Sequence, residues 1–323
     1  MPERIDAFSH ILPESFIDGM NDIHPTDELQ ELTNAEHLID VNHRIGHMEE
    51  FDIDQQVLTL ARPSIWRGIN REDALEATQL ANDAVEGMAA DNPDQFIPAG
   101  TLPKLDGDFV EELERCVRDL GMPGVQIFSN IDGKPLDAEE FRPFWEAVDD
   151  LDATVWIHPQ LHDWHDWTDE YMDHKMLGWP FDTTLSMARL VWSGIMDEHD
   201  PDVITHHMGG MVPFYHERIE NFYNKRVTQR DVYPRTTLPE FEDGPQAQFQ
   251  KFYGDLAVSG SESALECGHD FFGSDQLVFA ADYPFGTDGG RKCYENTVPT
   301  LEELDVPESE RNAIFAENIK SLL

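Results

Sequence analysis

The chain has 323 residues, 65 of them acidic and 22 basic, giving a formal charge of −43. So large an anionic excess repels nucleic-acid phosphates and anionic membrane surfaces, which removes both as partners. No run of about 18 apolar residues is present to span a bilayer. Three cysteines without a C-x-x-C pair (Cys116, Cys267, Cys293) form neither a disulfide framework nor a zinc–thiolate site.

The acids are not gathered in blocks, as in a disordered tail, but scattered among Trp, Phe, Val and Leu. That distribution describes a folded protein of a high-salt cytoplasm, kept soluble by a carboxylate-rich surface. The opening MPERIDAFSH enters a strand-like segment directly, with no basic region or apolar signal core, so a cytoplasmic location is expected. In chain order the strand candidates are Arg4–Ser9, Gln56–Leu60, Phe96–Thr101, Gly124–Phe128, Thr154–His158, Val203–His207, Phe252–Ala257 and Leu277–Ala281. Amphipathic stretches lie between them, among them Arg71–Ala90, Phe109–Leu120, Ala138–Asp150 and Thr183–Glu198. Strands alternating with helices of this length form βαβ units and a parallel sheet, and eight such units close into a barrel. The expected class is therefore α/β, a (β/α)8 TIM barrel, with residues 1–323 as one catalytic domain.

Two segments exceed a minimal barrel. Residues 11–50 are too long for a simple first connection and read as a helical insertion over the barrel mouth. Residues 161–180 (LHDWHDWTDEYMDHKMLGWP) are rich in Trp and His and read as a loop over the same mouth, a lid or pocket wall.

Chemistry-bearing residues fall at the C-terminal ends of these strands. His10 follows strand one, His158 ends strand five, His206 and His207 end strand six, and strand eight runs into Asp282. In a closed barrel these ends meet at one mouth, where imidazoles and a carboxylate suit a divalent metal with open positions. If side chains alternate along strand six, His206 faces away from His207 and is structural.

The words around these residues, IDAFSHILP at 5–13, WIHP at 156–159, LGWPFDTTLSMARLV at 177–191, ITHHMGGMVPF at 204–214 and FAADYPFG at 279–286, carry a resemblance through nearly the whole chain. Together they resemble the amidohydrolase superfamily, in particular the amidohydrolase-2 branch of metal-dependent decarboxylases typified by aminocarboxymuconate-semialdehyde decarboxylase. The resemblance implies a barrel of the metallo-dependent hydrolase type and one divalent metal, zinc or, alternatively, manganese. It implies His10, His158 and Asp282 as its ligands, His207 as the proton-transferring residue, and Asp282 as a second catalytic group. The family pattern begins His-x-His after strand one, whereas here the first of these positions is Phe8. Phenylalanine cannot bind metal, which leaves three protein ligands and an inactive homologue as one alternative.

The resemblance further implies that Arg218 binds a substrate carboxylate by two parallel hydrogen bonds, reaching in from a neighbouring subunit of a homodimer or higher homo-oligomer; a surface Arg paired to one of many acids is the competing reading. Arg62, after strand two at the mouth, and Trp179, with Trp164 and Trp167, are candidates to contact a flat substrate. Arg189 lies within a helix and reads as structural. His43 and His47, four residues apart, read as a solvated helix face, and His162, His165 and His174 as polar loop residues. No G-x-G-x-x-G, P-loop or G-x-S-x-G occurs, so nucleotide binding and serine-hydrolase chemistry have no support. The activity implied is non-oxidative decarboxylation, by a carbon–carbon lyase, of a small unsaturated or aromatic carboxylic acid. Metal-dependent hydrolysis of a lactone, amide or ester on the same barrel is the alternative.

Overall fold

The computed structural model describes residues 2–61, 63–160, 171–229 and 238–323. Eight parallel strands form along it: β1 (Ile5–Ile11), β2 (Gln55–Leu60), β3 in two segments (Phe96–Pro98 and Gly100–Thr101), β4 (Gly124–Phe128), β5 (Thr154–His158), β6 (Val203–Thr205), β7 (Tyr253–Asp255) and β8 (Leu277–Val278). Each pairs in parallel with the next, and the break in β3 at Ala99 divides its pairing between β2 and β4. The ring closes where the Ala7 N–H donates to the Phe279 carbonyl at 2.8 Å and the His10 N–H to that of Tyr283 at 2.7 Å. Closure removes both sheet edges and turns alternate side chains of every strand toward one axis.

That interior is filled, not hollow. Phe8, Val57, Ala99, Trp156, Ile204, Val278 and Ala280 pack together across it, and Ala316, Ile319 and Leu322 of the C-terminal segment join them. Thr154, at the start of β5, donates to the Leu322 carbonyl, so this segment plugs the N-terminal end of the barrel. The other end is left to the site. Trp156 spans the interior, with its indole N–H donating to the Ala7 carbonyl at 2.8 Å.

The first connection is helical, as residues 11–50 imply: Glu14–Ile23, Asp27–Leu32, Glu36–Ile39 and Val41–Glu50. Thr26 and Asp40 start two of these helices by accepting backbone N–H groups with their side chains. Phe16, Met20, Leu29, Leu38 and Met48 bind the insertion into the main apolar core. Elsewhere the differences from expectation are local. Strand six was expected to reach His207 but ends at Thr205, because His207 and Met208 adopt positive φ (55° and 57°), which no strand sustains. The segment 161–180 is not loop throughout. Residues 161–170 lie outside the described ones, but His174–Gly178 form a π-helical turn leading into the helix Trp179–Ser193, whose first turn accommodates Pro180.

Because Trp156 bridges β5 to β1 across the interior by both packing and hydrogen bond, Trp156→Ala is expected to destabilise the fold by about 3–5 kcal/mol. The measurement is the shift in the midpoint of urea unfolding.

Candidate metal centre

The site stands one pleat above the packed interior. Inward residues two positions earlier fix which side chains reach it: Phe8 precedes His10, Trp156 precedes His158, Ile204 precedes His206 and Ala280 precedes Asp282. On β1 this requires a register slip between Asp6 and Ser9, which places an extra residue in the strand. Asp6 and Ser9 then face outward, Asp6 accepting from Tyr294 of the helix Arg291–Glu302 and Ser9 from Arg44 of the insertion. His10, His158 and His206 bring one ring nitrogen each to within 4.8 Å of one another, and His206, His207 and Asp282 converge in the same way. Asp282 Oδ1 lies 3.3 Å from His10 Nε2 and 3.6 Å from His206 Nε2.

The partners of the outer nitrogens set the tautomers. His10 Nδ1 lies 2.9 Å from Thr59 Oγ1, and this hydroxyl spends its own proton on the Ser9 carbonyl, so the imidazole must donate. His158 Nδ1 meets the Pro159 carbonyl at 2.8 Å, an acceptor only. His206 Nδ1 is hydrogen-bonded to Asp255, whose other oxygen accepts the Met208 and Ala257 N–H groups. Each ring therefore turns Nε2 toward the shared centre, the orientation a metal-binding histidine needs.

Burial depresses the pKa of His10, an effect partly offset by Asp282, and depresses that of His158 further. Both are neutral donors at neutral pH. Burial also opposes charge on His206, but the Asp255 and Asp282 carboxylates outweigh it and raise its pKa to about 10 in the absence of a metal. Desolvation of Asp282 is likewise overcome, by contacts with His10 and His206 that hold it well below the usual carboxylate range. His10 Nε2 is buried and makes no hydrogen bond among the described residues. A buried polar atom without a partner is costly, and one that shares its surroundings with the neutral imidazole of His158 and the ionised Asp282 fits a divalent cation.

The face assigned to His206 from alternation is corrected by the structure. The alternation holds, but its inward anchor is Ile204, so His206 and not its neighbour continues the inward series. His207 reaches the site by another route, the left-handed turn of residues 207–210. Gly210 in that turn is required: a Cβ there would lie 2.1 Å from the Pro180 carbonyl oxygen. Trp179 is brought alongside, its ring 5.5 Å from that of His158 and stacked at 6.5 Å on His207. Phe285 stands 5.3 Å from His10, so the walls are flat and aromatic. Asp282 keeps 27% of its side chain exposed and marks the open side.

Arg218 is not in this cluster. It is exposed on the helix Val212–Thr228, its guanidinium 4.7 Å from the Phe222 ring, in an apolar groove with Phe181, Trp192 and Tyr215. Arg189 forms a two-pronged ion pair with Asp137 at 2.7–2.8 Å. His43 bonds the Gly289 carbonyl and His47 the Tyr283 hydroxyl. Arg62, Trp164, Trp167, His162 and His165 lie outside the described residues. Two supporting residues had no signature in the sequence. Asp255 lies on β7 with nothing to link it to His206. Arg44, fully buried, donates to Ser9, Gln56 and the His10 carbonyl and stacks 4.8 Å from the Tyr283 ring.

The amidohydrolase family model matches residues 48–323. The chain belongs to this family. It is 31% identical over 248 residues to 2-amino-3-carboxymuconate-6-semialdehyde decarboxylase of Dictyostelium discoideum, covering 76% of this chain and 67% of the relative. It is 30% identical over 305 residues to gamma-resorcylate decarboxylase of Rhizobium sp. (strain MTP-10005), covering 85% of each. Among solved structures, 5-carboxyvanillate decarboxylase from Sphingomonas paucimobilis superposes with a TM-score of 0.84 at 19% identity, covering 100% of this chain and 99% of the other. The 2,6-dihydroxybenzoate decarboxylase from Rhizobium gives a TM-score of 0.81 at 24% identity, covering 100% and 98%. At these identities the two structures attest the barrel.

Thr59→Val removes the acceptor that fixes the His10 tautomer while conserving shape. It is expected to weaken divalent-ion binding about ten- to hundredfold, read by competition with a chromophoric chelator.

Proposed function

We propose that this protein is a metal-dependent, non-oxidative decarboxylase of a small aromatic acid carrying a hydroxyl next to its carboxylate, and that residues 1–323 act as one catalytic domain. The observation that carries this reading is the convergence of His10, His158 and His206 between flat aromatic walls, with Asp282 facing His10 and His206 and with His207 alongside. The relatives named above are decarboxylases, which favours this reaction over hydrolysis of a lactone, amide or ester. It also weighs against an inactive homologue despite Phe8.

His10, His158 and Asp282 would hold the ion. A divalent ion bound there supplies Lewis acidity toward the acid's carboxylate and neighbouring hydroxyl oxygen. Manganese is the metal to test first, ahead of zinc, because related structures of 5-carboxyvanillate and dihydroxybenzoic acid decarboxylases contain manganese. Trp179 and Phe285 flank the substrate ring and exclude water from its faces. His207 transfers the proton; burial, with His206 beside it, lowers its pKa to about 3 in the absence of substrate, and an anionic substrate alongside would shift it back toward the protonated form. The proton goes to the ring carbon that bears the carboxylate; the bond between that carbon and the carboxylate then breaks, its electron pair restores the aromatic ring, and CO2 leaves. Arg218 is proposed to meet the substrate carboxylate of a neighbouring subunit in a homodimer, and the exposed Phe214, Tyr215 and Phe222 around it supply an apolar surface for that contact. Arg62 remains a candidate substrate contact at the mouth.

The setting we infer is a salt-rich cytoplasm. None of the described helices is long and apolar enough to cross a membrane, and the charge of −43 requires screening for compactness.

In molar salt, the manganese-loaded protein is expected to release CO2 from 2,6-dihydroxybenzoate or a related hydroxybenzoate. His207→Asn should lower kcat about 10²- to 10⁴-fold with the metal retained. Absence of release across a panel of hydroxylated benzoates, with metal bound, would overturn the reading. Raising KCl from about 0.1 M to about 1 M shortens the screening length from about 10 Å to about 3 Å. A rise in melting temperature is the expected consequence, and a fall would contradict the inferred setting.

A further inference from the structure

The strands present two inward side chains of β1 to the mouth, Phe8 and His10, and only one of them can coordinate. The Phe8 ring touches all three imidazoles, with centroids 5.2 Å from His10, 6.2 Å from His158 and 4.5 Å from His206. It fills the floor of the site with a group that has no lone pair. Beside it stands His206, its ring 5.8 Å from that of His10 and held by a buried partner as those of the other two are.

Its Nδ1 is committed to Asp255, and both residues are buried at 1% and 0% exposure. Asp255 is itself fixed by the Met208 and Ala257 N–H groups, at 3.3 and 3.1 Å. A carboxylate holding the far nitrogen of an imidazole orients the near nitrogen and raises its basicity toward a metal. The near nitrogen of His206 meets those of His10 and His158 within 4.8 Å. The ring centroids are close to equidistant, at 5.1 Å for His10–His158, 5.5 Å for His158–His206 and 5.8 Å for His10–His206. Asp282 Oδ1 faces both His10 and His206.

We propose that His206, braced by Asp255, is a metal ligand that supplies the coordination Phe8 cannot, giving a centre of three imidazoles (His10, His158, His206) and the Asp282 carboxylate. The proposal rests on the metal-dependent reading above. It assigns His206 to the ion in place of a structural role and leaves His207 for proton transfer. Binding the ion displaces any proton on the near nitrogen, which is ordinary for a histidine ligand. The competing arrangement is an imidazolium held between Asp255 and Asp282 beside a metal bound by only two histidines.

X-ray absorption at the zinc edge of the zinc-loaded wild-type protein separates the two, because outer-shell scattering from imidazole rings counts them. Three imidazoles are expected; two would overturn the assignment while leaving the metal reading in place. A wild-type protein that takes up no zinc or manganese would overturn the metal reading itself, and this assignment with it. A second arm uses variants verified as folded by circular dichroism. His206→Ala should weaken zinc binding more than about a hundredfold, beyond the loss typical of a ligand's hydrogen-bonding partner. Adding Phe8→His to His206→Ala should recover most of that loss by returning an imidazole to the floor of the site. Wild-type zinc affinity in folded His206→Ala would overturn the proposal.

Discussion

Closing eight parallel strands on a filled interior leaves the last inward side chain of each strand with one place to go, the space above the packed layer. Everything chemical in this protein follows from that constraint. Phe8, Trp156, Ile204 and Ala280 fill the axis, and the residue two positions on from each is lifted to the same height from a different direction. Alternation supplies the direction and closure supplies the convergence. Neither alone would bring nitrogens from three strands within 4.8 Å. The bulge on β1 is what makes the first strand obey: without the register slip between Asp6 and Ser9, Asp6, Phe8 and His10 would share one face, and Asp6 could not turn outward to Tyr294 while Phe8 and His10 turn inward.

The helical insertion is part of the site rather than an ornament on the barrel. Arg44 of Val41–Glu50 carries a charge into a fully buried position, which is costly unless its donors are used. They are used on Ser9, Gln56 and the His10 carbonyl, while its flat face lies on Tyr283, the neighbour of Asp282. One side chain thus fixes the backbone beneath two of the candidate ligands. Asp255 does the same for His206. In both cases a residue that touches no reacting atom determines where a donor points, and a shift in either would open the centre.

How much of this was legible in the sequence depended on the range of the interaction that decides each feature. β4 and β5 read correctly to the residue, because short runs of apolar and β-branched side chains are a local signal. β6 was read two residues too long, because its end is set by left-handed backbone at His207 and Met208, and that conformation follows from Gly210 packing against Pro180 some thirty residues earlier. The face of His206 was misjudged for a related reason: alternation gives relative orientation, and only the closed barrel shows that Ile204 is the inward reference. Arg44 was invisible because its partners include a backbone carbonyl and a ring from the far end of the chain. The placement of His10, His158 and Asp282 at one mouth was legible because positions at strand ends survive any small error in strand length.

The surface is strongly anionic, and at the mouth the neutral imidazoles of His10 and His158 stand with the ionised Asp282, so a cation is favoured by these groups and by the field of the whole molecule together. An anionic substrate faces the opposite balance. It is repelled at long range and attracted only within the last few ångströms, where a bound cation reverses the sign of the potential. Salt resolves the conflict asymmetrically, because screening acts on exposed charges separated by more than a Debye length and much less on buried pairs. High ionic strength therefore removes the barrier to approach and leaves the attraction at the centre nearly intact. On the proposed reading, an acidic shell around a cation site fits a salt-rich setting, and the same shell in dilute buffer would work against both the compactness of the fold and the arrival of an anionic substrate.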